Sequence, residues 1–267
     1  MTNLASHRKS PGTQSLERAI QLLRELAVRG TTGWSLRDLA QHCGLDHATV
    51  HRMLKCLVQE RLAQQRPSDR RYLIGPLAFE LGLSLPHQSQ LTDGTRNAVR
   101  RLVRSTPHVW SVAYLHSGDD CVCIARAGAS SHATVATSIR VGHRASLLSL
   151  AGGIAILAAL PAEQARETAE RNRERMAHLG PRHLANLMAL IRTSARSGHV
   201  MSPGTVWQGI HAVSAAFGAP GFPVGSLVVA SGSAFQADAL RHIVPELKAA
   251  AGTLAAPPRL LAGSAAG

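Results

Sequence analysis

Residues 35–72 read SLRDLAQHCGLDHATVHRMLKCLVQERLAQQRPSDRRY. Two short amphipathic stretches flank a tight glycine turn, and an arginine-rich hairpin follows. Ser35 can cap the first helix by accepting from amides two or three residues on, and Asp38 stands where a capping-box carboxylate would. Leu36, Leu39 and Ala40 make one apolar stripe at helical spacing. Gly44 can take the left-handed conformation that closes a helix, and Asp46 can cap the next helix at once. The predicted turn is about three residues long, the length a helix-turn-helix pair uses.

The second helix is predicted over residues 47–61, with Val50, Leu54, Leu57 and Val58 inward. Its other side carries His47, Ala48, Thr49, His51, Arg52 and Lys55. Small, polar and cationic residues near the N-terminal end are what a groove-reading helix presents. Thr49 and His51 can bond bases or phosphates, Arg52 can fork onto a guanine edge or a phosphate, and Lys55 suits a phosphate. Ser35, at the start of the first helix, is counted with these contacts. A solvated face of an ordinary amphipathic helix has the same composition, so the helix alone leaves both readings open. The hairpin tips the balance. Residues 62–65 and 71–74 read as strands around turn chemistry in 66–70. Arg66, Arg70 and Arg71 near its tip suit a wing on a phosphate backbone or in the minor groove.

Three stretches taken together resemble the IclR family of bacterial transcription regulators: QSLERAIQLLRELA (14–27), the helix pair itself, and RYLIGPLAFELG (71–82). The family's first helix shows Ser-Leu-Glu-Arg-Ala. Its recognition helix shows Thr-Val-His-Arg-Leu-Leu, matched by Thr49-Val50-His51-Arg52-Met53-Leu54. Arg-Tyr-X-Leu-Gly follows the wing, matched by residues 71–75. The resemblance covers about the first 85 residues in the right order.

A chain of 267 residues is long enough for two domains, and 45% hydrophobic residues make it globular. Its net charge of +13 favours a polyanionic partner or simple solubility. Charge locates nothing, because residues 1–90 carry 12 Arg/Lys against 7 Asp/Glu, and residues 91–267 carry 17 against 9. No apolar run approaches the ~20 residues of a membrane span. The N-terminus shows no apolar signal core, so a cytoplasmic chain with no membrane contact is expected. The four cysteines have no zinc-finger spacing. His47 and His51 lie four apart on one helix face but have no third ligand in view. Neither a metal nor a cofactor is expected.

Past the wing, residues 75–85 are helical up to Pro86, and residues 75–90 read as a linker. A helix over 92–106 presents Arg96, Arg100, Arg101 and Arg104 outward. Strands are predicted at 109–116, 121–127, 134–139, 210–217 and 224–230. Helices are predicted at 148–160, 163–178, 181–197 and 237–254. Residues 256–267 read as a disordered tail. The expected fold class is α+β: a winged helix-turn-helix over 14–74 and a second domain over 91–255. The resemblance, looser here, makes that domain the GAF-like effector-binding domain of the IclR family. Its anchors are VGHRASLLSLAGGIAILAALP (141–161), SARSGHVMS (194–202), QGIHAVSAAF (208–217) and GSLVVASG (225–232).

Family members that bind small carboxylates use polar groups on these segments. The matching positions are approximately Ser202, Ala212, Val229 and Ser231, and the family's lysine in the first anchor is Ile154 here. The resemblance therefore implies a pocket around Ala151, Gly152, Ser202, Ile210, Ala212, Val229 and Ser231, with Trp207 nearby. Its apolar residues suit an apolar or aromatic effector. A closed core at these residues is the alternative, as is a winged-helix regulator of another family. Enzyme motifs are missing: there is no Gly-X-Ser-X-Gly, no phosphate loop and no dinucleotide fingerprint. The expected partners are operator DNA, a small-molecule effector, and a second copy of the chain in a dimer or a dimer of dimers.

Overall fold

A computed structural model describes residues 13–84, 88–106, 108–128, 139–232 and 237–254. The expected strand over 134–139, the break at Pro86 and the tail over 256–267 lie mostly or wholly outside these residues. The chain divides into two compact units after Gln88.

In the first unit, α1 (Gln14–Arg29) packs Leu22 and Leu26 inward. α2 (Leu36–Cys43) starts at Ser35, whose side chain accepts from the Asp38 amide at 3.1 Å. It ends at Gly44, whose φ of 63° is left-handed and whose amide reaches the carbonyls of Ala40 and Gln41. α3 (His47–Gln59) is capped by the Asp46 carboxylate, which accepts from the Thr49 amide at 3.0 Å. It is shorter than predicted, because Glu60 closes it and Arg61 turns to a φ of 60°. Leu39, Val50 and Leu54 are fully buried with Leu22 and Leu26. At about 1.5–3 kcal/mol per buried aliphatic side chain, these residues account for a compact unit built on short helices.

β1 (Ala63–Gln65) and β2 (Tyr72–Ile74) form the antiparallel wing, with Ala63 opposite Ile74. α4 (Pro76–Leu83) follows, and its start is tied back where the Leu77 amide meets the Arg61 carbonyl at 3.0 Å.

The second unit is a six-stranded sheet between two helical layers. Its strands are β3 (Trp110–Ser117), β4 (Asp120–Ala127), β5 (Arg144–Ser146), β6 (Val200–Pro203), β7 (Ile210–Ala219) and β8 (Phe222–Gly232). Their order is β5-β4-β3-β8-β7-β6, and every neighbouring pair is antiparallel. β5 and β6 were not foreseen. Both are edge strands of three or four residues, too short to show alternation.

One face of the sheet carries α6 (Ala151–Ala159), α7 (Ala162–Arg175) and α8 (Pro181–Ser197). The other carries α5 (Gln88–Ser105), α9 (Ala237–His242) and α10 (Val244–Gly252). The last two were expected as one helix. α6 has no polar face, and residues Ala151 to Leu157 are all buried. It lies so close to the sheet that a side chain at Gly152 would meet Tyr114 and Ser226 at 2.7 Å.

Candidate functional site

The outer face of α3 is the first candidate. His47, Ala48, His51, Arg52 and Lys55 are exposed and Thr49 is half-buried. Their projection follows from burying Val50, Leu54 and Leu57 on the opposite side. Thr49 gives its backbone amide to Asp46, which holds that carboxyl below the ordinary aspartate range. Among the described residues no carboxylate pairs with Arg52 or Lys55, so both charges are presented outward. Arg37, exposed in the first turn of α2, adds a cation that the sequence reading passed over. Its signal was available, because the first helix of such a pair crosses the phosphate backbone.

In the wing, two of the three arginines have partners within the unit. Arg66 donates to Asp69 through Nε (2.8 Å) and Nη2 (2.6 Å), and to the carbonyls of Thr31 (2.8 Å) and Thr32 (3.2 Å). Arg71 donates to the Gly33 carbonyl at 3.2 Å and faces Asp69 at 3.5 Å. Both guanidinium groups therefore hold the wing against the loop before α2. Arg70 differs: it is exposed at the tip with a φ of 58°, and its side chain has no partner among the described residues. The Ser35 hydroxyl oxygen is likewise occupied as the cap of α2.

The second candidate is a cavity of about 40 Å³ between the sheet and the start of α6. Ala151, Gly152, Ser202, Ile210 and Ala212 line it, as do Trp110, Val112 and Tyr114 from β3 and Trp207 from the β6–β7 loop. Val229 and Ser231 do not. Alternation along β8 sends Val228 and Ala230 to the cavity, and Val229 to the opposite core. Ser231 donates to the His108 carbonyl at 3.3 Å instead. The loop is pinned at two points. Trp207 donates from Nε1 to the Ser149 carbonyl at 2.9 Å, and the Val206 amide donates to the Ser202 hydroxyl at 3.2 Å. Gly152 serves helix–sheet contact as well as lining the cavity.

Cys121 and Cys123 are buried on the same sheet face. Burial pushes the Cys121 thiol far up and the Cys123 thiol up to about 12, so neither is a nucleophile near neutral pH. Among the described residues no three His, Cys, Asp or Glu side chains gather as a metal site, and no helix is long and apolar enough to cross a membrane.

Residues 15–67 match the IclR helix-turn-helix domain. Over 167 residues the chain is 30% identical to the HTH-type transcriptional regulator BhcR of Paracoccus denitrificans, covering 62% of this chain and 58% of that protein. It is 28% identical over 151 residues to the transcriptional repressor IclR of Escherichia coli, covering 57% and 54%. The chain thus spans a little over half the length of these relatives. An IclR homolog from Microbacterium hydrocarbonoxydans, solved in complex with 4-hydroxybenzoate, shares the fold with a TM-score of 0.68. It is 17% identical, with 90% of this chain and 98% of that chain covered.

Proposed function

We propose that this chain, whose N-terminal unit is an IclR helix-turn-helix domain, is a transcription regulator that binds operator DNA through α3 and answers to a small-molecule effector. The carrying observation is the outward face of α3, where Arg52 and Lys55 have no acidic partner among the described residues and stand beside His47, Thr49 and His51. Arg52 reads a base, while Lys55, Arg37 and Arg70 take phosphates. One such module buries little DNA, so two copies act together on two half-sites, alone or as a dimer of dimers. The regulators and repressors among its relatives support this reading, as does the lack of any enzyme motif.

The effector occupies the cavity under α6, with an apolar or aromatic body against Trp110, Val112 and Ile210. The 4-hydroxybenzoate held by the Microbacterium homolog supports an aromatic ligand in this fold. A volume of about 40 Å³ is small for a ring, so binding requires the Trp207 loop to give way. That small volume also favours a second reading, a closed domain that takes no ligand. Fluorescence anisotropy on the chain's own upstream promoter, against random DNA of equal length and with and without aromatic compounds, tests both. Equal affinity for the two DNAs would sink the regulator. Sequence-specific binding that no compound alters would leave the closed domain standing.

A further inference from the structure

Four arginines of α5 belong to neither site. Arg96, Arg100, Arg101 and Arg104 are all exposed. The core sets which way they point, because Thr95, Ala98, Val99 and Leu102 are buried on the opposite side of the helix. At about 100° per residue the four arginines fall within an arc of about 140°. Arg96, Arg100 and Arg104 repeat every four residues, so they step along the helix axis by about 6 Å, and the stripe spans about 12 Å.

On α7 of the same unit the arginines are neutralised. Arg166 and Arg173 face Glu163 and Glu170, and Arg171 and Arg175 hold Asp119 and Asp120. On α5, Arg96 faces Asp93 at 3.6 Å. Among the described residues Arg100, Arg101 and Arg104 have no acidic partner and no side-chain hydrogen bond. Like charges four apart on a helix repel, so Arg96 with Arg100 and Arg100 with Arg104 weaken α5, where the Glu–Arg pairs strengthen α7. The helix dipole favours a cation in the last turn, which accounts for Arg104 but not for Arg96 and Arg100 upstream of it. The stripe therefore costs the isolated chain stability that an anionic partner would restore.

We propose that this stripe is a second DNA contact, in which α5 grips the phosphate backbone beside the half-site that α3 reads. This rests on the reading of α3 as the DNA-reading helix. One strand of a duplex presents a phosphate about every 3.4 Å of axis, so a stripe of about 12 Å faces about three or four of them. Arginine suits that partner, since its planar fork matches phosphate oxygens. Only residues 84–87 separate α5 from α4, the last helix of the first unit. A chain held by α3 therefore keeps the stripe tethered to the duplex at high effective concentration. Phosphates carry no sequence, so the contact adds affinity without preference. An acidic protein surface would need carboxylates set at the same spacing, whereas a duplex supplies that spacing by its own geometry.

The test compares the full chain with two triple variants, by anisotropy on the upstream promoter and on random DNA of equal length, at several salt concentrations. Arg100→Gln, Arg101→Gln and Arg104→Gln combined remove the stripe. Arg182→Gln, Arg192→Gln and Arg196→Gln combined remove the same charge from α8, where these arginines are also exposed. The α5 variant should lower the salt slope by about 2–3 units per bound chain on either DNA, at about 0.9 per lost phosphate, and keep the preference for promoter. The α8 variant should change the slope by less than about one unit. Lysine at the three α5 positions, which keeps the charge, should restore the slope. Arg104→Gln alone, at about 0.9, gives the same reading if the triple variant does not fold. An unchanged slope in the α5 variant, with promoter preference intact, overturns the proposal alone and leaves the stripe to an acidic protein surface. Equal losses in the two triple variants overturn it as well, since net charge and not contact would then be at work. A wild type with no promoter preference overturns the α3 reading, and the proposal with it.

Discussion

Trp34 and Tyr72 exchange both of their backbone hydrogen bonds, Trp34 N to Tyr72 O at 2.9 Å and Tyr72 N to Trp34 O at 2.8 Å. Trp34, just before the Ser35 cap of α2, is thereby bridged to the second strand of the wing. Trp34 also donates from Nε1 to the Glu25 carbonyl of α1 at 2.9 Å, and Arg29 lies over its ring at 3.8 Å. One side chain links α1, the start of α2 and the wing. Trp34→Ala should cost about 3–5 kcal/mol, the range for a buried aromatic truncated in a core. Urea unfolding of wild type and variant measures it. A loss below about 1 kcal/mol would mean that Trp34 is not the joint of this unit.

The two kinds of DNA contact separate by their salt response. Arg52→Ala should weaken specific binding by about 1–3 kcal/mol and spare random DNA. Arg70→Ala should lower the salt slope by about one unit on either DNA. Arg66→Ala should instead act through stability, because its guanidinium is spent on Asp69, Thr31 and Thr32. Anisotropy titrations at several salt concentrations separate these outcomes. A slope unchanged in Arg70→Ala removes the wing tip from the interface.

Asp69 gives the wing its acid dependence. The Arg66 guanidinium, first by hydrogen bonds and also by charge, holds this carboxyl down at about 2, with help from the Arg71 amide. A carboxylate depressed in the folded state adds stability above its unfolded pKa of about 3.9. That stability is lost as pH falls toward about 2. Asp69→Asn should therefore melt below wild type at pH 6, and the gap should close between about pH 4 and pH 2. A gap that stays constant over this range would show that the charge on Asp69 plays no part.

Thiol labelling checks the burial pattern of both units. Cys56 is exposed on α3, whereas Cys43, Cys121 and Cys123 are half-buried or buried. Burial, then the Glu25 charge, raises the Cys43 thiol to about 11, and burial raises the other two. At pH 7.5 a maleimide should label Cys56 rapidly and the other three only on unfolding. Mass spectrometry of the early product identifies the site. Early labelling of Cys121 or Cys123 would contradict the closed sheet face.

Much of this was legible in the sequence, and what was not has physical causes. The helix pair could be read because its caps are local: Ser35, Gly44 and Asp46 each act within four residues. The roles of Arg66 and Arg71 depend on carbonyls 34 to 38 residues away, which no spacing reveals. Val229 was misplaced because a run of buried residues, Leu227 to Ala230, hides which face each takes.

The cavity itself can be closed by a small change. Ala212 is 6% exposed and lines the cavity, while Val229, one position off its pairing partner Ala230, packs on the opposite face. Ala212→Leu should fill a void of about 40 Å³, where tryptophan would overpack the sheet. The response of DNA affinity to ligand should vanish, with promoter affinity itself unchanged. Val229→Ala should do the reverse, losing about 1–3 kcal/mol of stability while keeping the response. Because a ligand shifts an equilibrium only by its differential affinity for two states, the readout is promoter affinity with and without ligand, in all three proteins. If Val229→Ala abolishes the response and Ala212→Leu retains it, the ligand lies on the other face of the sheet.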